Sequence, residues 1–361
     1  MAEKKPVLPL FNFVVGCGET ELRALAGIAD LGDCIATQPQ LAARIFASGE
    51  MSWCLQTYIN LAQRGVVPVT CSTGLRADAI NLVHSDRLLE LRGNASLFVV
   101  CVRADYPSRR WAHFHLVQNK AQVTRRSAYI PHWVQPGLRK RDPARDGVRR
   151  VAYAGKASGN LAADIGTWKN LFAPHGIEFV TLPADRWHDL STTDVLVGIR
   201  SFDAKTYDSK PPSKLLNAWH AGVPFIGGND SAFRQLGCPG DDYLIATNPR
   251  AVVEAVLRLR SDPDLYTRLV QNGRRNAQLY TKDMISEVWE RVLTEDVLLR
   301  FRAWQRSPRV EALHFSGNLL LGLGWHHAKQ LLKKSVFRHR YRPSGGPEKV
   351  MNRALLHQDE L

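Results

Sequence analysis

The most regular part of the chain is a central stretch in which short apolar runs alternate with polar segments. Residues 195–199 are apolar and lie between polar residues, which predicts a buried parallel strand. After a polar loop, residues 211–213 read Pro-Pro-Ser, and proline is well suited to the first turn of a helix. The predicted helix, 214–220, ends before Gly222, a residue typical of a left-handed cap. A second strand follows at 225–226, so the stretch predicts a repeated β–α crossover.

Similar patterns recur along most of the chain. Apolar runs of four to eight residues predict further strands at 8–15, 66–70, 78–84, 97–102, 113–119, 150–155 and 178–182. Apolar residues with helical spacing predict helices at 53–65 and 162–175, two more ending near 259 and 273, and a long one starting at Thr281. Strands that alternate with helices in this way indicate an α/β protein with parallel sheets.

Length and composition narrow the protein class. A chain of 361 residues predicts two domains, each large enough to bury its own core. The six cysteines are scattered without a C-x-x-C pair, which favours a reducing cytoplasm. The first 18 residues resemble a signal peptide only faintly, because Pro6, Pro9 and Asn12 interrupt them. No run approaches 18 apolar residues, so we expect no transmembrane helix.

The net charge of +14 indicates an anionic partner, such as a nucleotide diphosphate, an acidic lipid headgroup or nucleic acid. The positive charge is concentrated in residues 139–150 and in residues 300–361, where twelve Lys or Arg face four Asp or Glu. Aromatic residues are not interleaved with these basic runs as a base-stacking surface requires. We therefore expect no nucleic-acid partner, and a solvated linker is the simplest interpretation of 139–150.

The central crossover also predicts where a ligand binds. In open α/β sheets the loops at the carboxyl ends of the strands line the ligand site. The free N–H groups at the start of helix 214–220, with Lys210 and Lys214 beside them, suit a diphosphate. Gly227 and Gly228 leave bare main chain beyond the next strand, which adds them to the candidate site.

The residues from Thr193 onward, TDVLVGIRSF and later PPSKLLNAWHAGVPFIGG, resemble the donor-binding half of GT-B glycosyltransferases. The resemblance is greatest to the large retaining family that uses nucleotide sugars, and it continues through 242–245 and 248–249 to the helix ending near 273. It covers about half of the chain well and the N-terminal half loosely. It implies two Rossmann-like domains that face a central cleft, and transfer of a sugar from a nucleotide-diphosphate donor, which is a substrate and not a cofactor.

The resemblance also implies which residues hold the donor. Strand 150–155 ends in Gly155, and family members carry a basic residue next, which contacts the donor diphosphate; here it is Lys156. Arg200, at the end of the central strand, faces the same crevice or is a surface charge. Ser213 and Lys214 at the helix start, with Lys210, complete the predicted diphosphate site.

Two positions depart from the family pattern. The family usually has Glu where this chain has Asn217, and a second Glu where Ser209 stands. Asn217 can still hydrogen-bond a hydroxyl group, although without charge. The departure leaves open whether the chain transfers sugar or is a binding protein that kept the fold and lost the chemistry.

Three candidates for catalysis come from the N-terminal half. His84 ends strand 78–84, where the family has a histidine against the donor sugar; a histidine that only caps the strand is the alternative. Arg103 and Asp105 follow strand 97–102 on the same edge. A shielded Asp105 with a raised pKa suits a base for an acceptor hydroxyl. The alternative is an ion pair between Arg103 and Asp105.

Other chemistries find less support. His113 and His115 share a strand but lack a third ligand, so we expect no metal site. Residues 16–21, GCGETE, lack the third glycine of a dinucleotide fingerprint. Fold alone would also permit an epimerase.

We therefore predict five segments: an acceptor-side domain at 1–137, a basic linker at 138–150, a donor domain at 151–280, a helix at 281–306 that packs back on the first domain, and a basic amphipathic tail at 307–361. The resemblance, together with the basic tail, implies a bacterial surface glycan or glycolipid as the acceptor. The tail, with Trp325 among apolar residues followed by lysines, fits either an anionic membrane surface or the protein core. We expect a cytoplasmic location, which is peripheral on the inner face of the cell membrane where the first alternative for the tail holds.

Overall fold

The computed structural model describes residues 7–38 and 40–340. Residues 341–361 of the predicted tail lie outside the described residues. The strands are β1 (Leu10–Val14), β2 (Val69–Ser72), β3 (Ala79–His84), β4 (Val99–Val102), β5 (Phe114–Val117), β6 (Ser127–Tyr129), β7 (Arg150–Ala154), β8 (Glu178–Leu182), β9 (Val195–Gly198), β10 (Phe225–Gly227) and β11 (Leu244–Ile245).

The helices alternate with these strands. They are α1 (Glu19–Ala26), α2 (Leu31–Thr37), α3 (Gln40–Ala47), α4 (Gln56–Arg64), α5 (Ser85–Leu91), α6 (Ile165–Phe172), α7 (Ser213–Ala221), α8 (Ser231–Leu236), α9 (Pro249–Ser261), α10 (Pro263–Ala277), α11 (Lys282–Val292), α12 (Leu298–Arg306) and α13 (Pro308–Arg340). Wider π-type turns, Met51–Leu55 and Leu293–Val297, precede α4 and α12.

The strands form two separate parallel sheets. The first has the order β2-β1-β3-β4-β5-β6 and the second the order β11-β10-β9-β7-β8. Each strand pair is parallel, for example β1 with β3 and β7 with β9. The predicted α/β class with two Rossmann-like sheets is confirmed. We call the part up to Gly137 the first domain and residues 151–280 the second domain.

Most element boundaries follow local chemistry. The strand predicted at 66–70 begins only at Val69, because Pro68 has no N–H to donate to a ladder. The helix predicted from 162 begins at Ile165, since the side chain of Asp164 accepts a hydrogen bond from the Thr167 N–H. Gly222 ends α7 with a φ of 69°, as its left-handed role predicts.

The helices after the second domain return to the first. Thr281 caps α11 as predicted, by accepting a hydrogen bond from the Met284 N–H. Trp289 is fully buried and meets Phe13 of β1 edge to face, with ring centroids 6.1 Å apart. Arg64 of α4 donates to Glu290 of α11 at 2.7 Å. These contacts make α11 part of the first domain's core.

Part of the segment 139–150 is not a solvated linker. Arg141 and Arg145 surround the carboxylate of Asp194, which is fully buried; Arg145 donates two hydrogen bonds of 2.8 Å. Two main-chain N–H groups at the start of β7 donate to the same carboxylate at 3.0 and 2.9 Å. A buried carboxylate requires such partners. The expectation of solvated charge is therefore wrong for these two arginines.

Among the described residues, no helix combines the length and the apolar character that crossing a bilayer requires.

Candidate active site

A cleft of about 340 Å³ separates the carboxyl edges of the two sheets. The first domain contributes residues near Trp53, the loop after β4 and the segment 132–136. The second domain contributes the ends of β7 and β9 and the start of α7. The volume lies in the range of small-molecule sites.

The loop after β7 and the first turn of α7 form one side of this cleft. Gly155 has a φ of 147°, a conformation that side chains rarely adopt, and a Cβ there would lie 3.0 Å from Lys214 Nζ. Lys156 and Ser213 line the cleft, Lys156 on its exposed rim. The first N–H groups of α7 have no partner within the helix, as at any helix start. Main-chain donors and two lysines therefore converge here.

Lys214 is half-buried and lies next to an aromatic ring instead of a carboxylate. Its Nζ lies 4.9 Å from the centre of the Tyr153 ring. No carboxylate of the described residues lies within ion-pair distance of it. Burial, and then the nearby positive charge of Arg200, lower the pKa of Lys214 to about 7. An anion in the cleft would restore the charged form.

Arg200 lies inside the cleft and is not a surface charge. Its side chain is buried, and its Nε donates to Asp230 at 2.8 Å while its Nη1 donates to Asn160 at 2.8 Å. The second carboxylate oxygen of Asp230 is buried without a hydrogen-bond partner among the described residues. Arg200 is thus held rigidly with one face toward the cleft.

On the opposite side, the loop after β4 brings Asp105 into the cleft. Lys210 of the second domain donates a hydrogen bond of 2.5 Å to its carboxylate. The predicted ion pair between Arg103 and Asp105 is replaced by this contact between domains. Burial alone would raise the pKa of Asp105, but the hydrogen bond and charge of Lys210 lower it below its usual value. The expected raised pKa is therefore wrong for this arrangement.

No protein-family model matches the sequence, and no curated protein matches it significantly. Among solved structures, Anabaena Alr3699/HepE in complex with UDP and glucose is 11% identical, with 79% of this chain and 99% of that chain covered and a TM-score of 0.52. The chain has the GT-B fold.

Two less similar GT-B structures have lower TM-scores. The lipopolysaccharide outer core galactosyltransferase WaaB, in its apo form, is 11% identical over 81% of this chain and 100% of that chain, with a TM-score of 0.45. The pneumococcal O-GlcNAc transferase GtfA with UDP and GlcNAc is 12% identical over 66% and 59%, with a TM-score of 0.44.

Two of the predicted first-domain residues do not line the GT-B cleft. His84 is buried behind Gly49 and Tyr106, and its ring lies edge-on to Tyr106 at 4.8 Å. Its Nε2 has no hydrogen-bond partner among the described residues, and burial lowers its pKa to about 4. Arg103 is also set back, and burial lowers its pKa. Of the three predicted catalytic residues, Asp105 reaches the cleft.

Asn217, which stands at the position of a family carboxylate, has both ends of its amide occupied. Its Nδ2 donates to Gln135 Oε1 at 2.8 Å, and its Oδ1 accepts from the Gln135 N–H at 3.1 Å. The pair joins α7 to the segment where the chain leaves the first domain. Asn217 lines the cleft, but in this arrangement both polar atoms of its amide group are already hydrogen-bonded to Gln135.

Gly227 and Gly228 are placed differently from the prediction. Both are buried, and neither lines the cleft. A Cβ on Gly227 would lie 3.0 Å from the rings of Phe225 and Phe233, and one on Gly228 would lie 3.3 Å from Ile199. These glycines allow close packing beneath the cleft, and their main chain is not bare.

Sequence reasoning missed several aromatic residues of the GT-B cleft. Trp53, the first residue of the helix predicted at 53–65, lines the cleft and meets the His132 ring edge-on at 4.7 Å. Tyr106 and Trp187 also line it. For two of these residues the sequence signal was their position. Tyr106 directly follows the candidate residue Asp105, and His132 begins the segment 132–136, where the chain leaves the first domain.

The described residues contain no group of three His, Cys, Asp or Glu side chains arranged to hold a metal ion. His113 stacks on Phe98 at 4.8 Å and accepts a hydrogen bond from the Val99 N–H. His115 contacts the carbonyl of Arg109 at 3.0 Å. Each of these histidines thus has a separate structural contact.

Proposed function

We propose that this protein is a glycosyltransferase that moves a sugar from a nucleotide-diphosphate donor to a hydroxyl acceptor. One observation carries the proposal: Lys156, Lys214, Arg200 and the start of α7 converge on one side of the GT-B cleft. Asp105 and an aromatic surface face them from the other domain. A diphosphate on the basic side and a sugar between the domains fit this distribution of charge.

The basic side would act mainly on the leaving group. As the bond between sugar and diphosphate breaks, negative charge accumulates on the diphosphate oxygens. Hydrogen-bond donors that are already oriented stabilise that charge without reorganisation, and such electrostatic stabilisation often accounts for most of an enzyme's rate enhancement. We propose that the N–H groups of α7 and the charges of Lys156, Lys214 and Arg200 supply this effect, so that transfer does not require a divalent cation.

Uridine is the base we propose for the donor. HepE, which shares the fold over almost its entire length, was solved with UDP and glucose. The similarity at 11% identity concerns the fold, so the base and the sugar are proposals to be tested.

In the first domain, Asp105 is the residue we propose to contact the sugar or the acceptor hydroxyl. Its lowered pKa keeps it ionised, which suits accepting a hydrogen bond from a hydroxyl group. His84 and Arg103 lie one layer behind and would position the Tyr106 side of the cleft. We propose a surface glycan or glycolipid as acceptor and a cytoplasmic location, in line with the resemblance found in the sequence.

The experiment has a binding arm and a transfer arm. In the first, calorimetry compares UDP, GDP, CDP, ADP and dTDP, with EDTA and then with magnesium, on wild type, Lys214→Ala and Lys156→Ala. We expect UDP to bind with EDTA present and both variants to bind at least tenfold more weakly. Lys169→Ala, outside the cleft on α6, is the matched control and should bind as wild type. No binding of any diphosphate would refute the proposal.

The transfer arm measures release of UDP from UDP-glucose and other UDP-sugars, with water or glycan fragments as acceptor. Asp105→Asn should lower the rate by at least tenfold and leave UDP affinity within about twofold. Equal loss of affinity would show that Asp105 acts through the domain contact with Lys210 instead.

A second candidate is a nucleotide-binding protein without transfer activity. The Asn217–Gln135 contact favours it, because that contact occupies the position of a family carboxylate. The two candidates separate when UDP binds but no UDP-sugar is consumed. Asn217→Glu, alone and with Ser209→Glu, then tests whether restored carboxylates give activity; activity in these variants alone would establish the second candidate.

A further inference from the structure

The last described helix, α13, has one face packed on the protein and another that is open. Phe315 is buried among residues of the first domain, and a Cβ on Gly322 would lie 2.7 Å from the Trp111 ring. Glu311 pairs with Arg300 at 2.5 Å. The first half of the helix is therefore fixed in orientation, and its outward face is defined.

That outward face carries large apolar side chains that are 65–78% exposed. At 100° per residue they fall within an arc of roughly 140°, broadly opposite Phe315. We call them the outer stripe: Val310, Leu313, Leu320, Leu321 and Trp325. Gly317 and Gly324 lie on the same arc with open space beside them. A contiguous stripe of exposed large apolar side chains marks an interaction surface.

The charge around the outer stripe indicates which partner. Residues 312–347 contain no Asp or Glu, and the single acid near the helix start, Glu311, is neutralised by Arg300. Arg126, which is exposed, contacts His314 of α13 at 2.9 Å. Exposed Arg92 and Arg110 adjoin residues that contact the same helix. By sequence, Lys or Arg also stands at positions 329, 333, 334, 338 and 340.

We infer that α13 is a docking surface for an anionic lipid bilayer, with the outer stripe entering the boundary between headgroups and acyl chains. An apolar stripe that contains tryptophan and lies beside basic residues suits this boundary. Anionic headgroups would neutralise the basic border. Pairing with a second copy through the same stripe would bring two basic borders together and is opposed by their repulsion. The inference concerns location and does not depend on the transfer reaction.

Vesicle co-sedimentation of the full chain tests the inference. Wild type is measured against vesicles of pure phosphatidylcholine and vesicles with 30% phosphatidylglycerol, at low and physiological salt. We expect binding to the anionic vesicles at least tenfold tighter than to the neutral ones. Leu321→Glu/Trp325→Glu should weaken it at least tenfold, with an unchanged melting temperature because both side chains are exposed.

A matched control separates the outer stripe from a general effect of added charge. Leu279→Glu/Leu299→Glu makes the same charge change at two exposed leucines outside α13 and should bind vesicles within about twofold to threefold of wild type. Equal losses in both double variants would overturn the inference. So would a wild-type dimer, seen by light scattering, that Leu321→Glu/Trp325→Glu dissociates while vesicle binding is absent.

Discussion

The half-buried Lys214 predicts how the proposed nucleotide binding depends on pH. In the free protein its pKa is about 7, because of burial and the charge of Arg200. Beside a diphosphate we expect the pKa to return above 9, toward the value of about 10.4 of an ordinary lysine. Well below pH 7 Lys214 is protonated in both the free and the bound protein, and affinity is constant. Above pH 7 binding must take up a proton, so affinity falls as the pH rises.

The size of the effect follows from the protonated fraction of free Lys214. That fraction is about one half at pH 7 and about one hundredth at pH 9, by the same pKa. UDP affinity should therefore fall about 50-fold over this range, or about 2.3 kcal/mol at about 1.36 kcal/mol per pKa unit. Proton uptake on binding should rise from about 0.5 at pH 7 to nearly one at pH 8.5.

Isothermal titration calorimetry of UDP at pH 7, 8 and 9, in two buffers of different ionisation enthalpy, measures both quantities. The range lies above the second pKa of a phosphate, about 6, so the charge of the diphosphate stays constant. Lys214→Met should bind weakly at pH 7 with a flat profile, whereas Lys156→Ala should keep the slope. Wild-type affinity that changes less than twofold, or the same slope in Lys214→Met, would refute the reasoning.

Three further predictions concern the residues around the cleft. Asp194→Ala should lower the free energy of unfolding in urea by about 3–5 kcal/mol, because it leaves two partly buried arginines and two main-chain N–H groups without their shared acceptor; a loss below 1 kcal/mol would contradict this account of the segment 139–150. Gly155→Ala should lower the melting temperature, since a φ of 147° costs a residue with a side chain about 1–3 kcal/mol. It should also weaken UDP binding, because Gly155 lines the cleft; an unchanged melting temperature together with an unchanged UDP affinity would contradict this prediction. Lys210→Ala should change stability by less than about 1 kcal/mol, since its partly exposed pair with Asp105 is weak. A loss well above this value would contradict the weakness of the pair.

Local pattern was sufficient for most strands of the two sheets. The strand at Glu178–Leu182 has the predicted bounds, and β9 and α7 begin or end within one residue of theirs. Buried parallel strands are continuous apolar runs, and proline and glycine mark their connections. These signals do not depend on the rest of the chain.

Short helices were missed because tertiary contacts stabilise them. Leu31–Thr37 and Ser85–Leu91 have seven residues each, too few to show a helical period. A signal was present for the first of them, since Asp30 is followed by Gly32 and Asp33, whose N–H groups donate to its side chain. The three-residue strand Ser127–Tyr129 exists because β5 provides its ladder.

The site residues also fall into two groups: those predictable from local sequence and those that depend on tertiary contacts. Gly155, Lys156, Arg200, Ser213 and Lys214 come from strand ends and a helix start, and the structure places them in or around one cleft. Pairings between domains could not be predicted. Asp105 meets Lys210 across 105 positions, and Gln135 meets Asn217 across 82, because the orientation of the domains decides both.

The return of α11 to the first domain bears on the order in which the chain acquires its structure during synthesis. Domains of a growing chain usually complete themselves from the N-terminus onward. Here Ile285, Trp289, Val292, Leu293 and Val297 belong to the core of the domain that begins at β1. That core cannot close until residue 297 has left the ribosome, by which time residues 151–280 are already available to fold. The second domain can therefore complete its fold before the first domain does. The first domain is completed only by α11 and the turn that follows it, which are translated after the second domain.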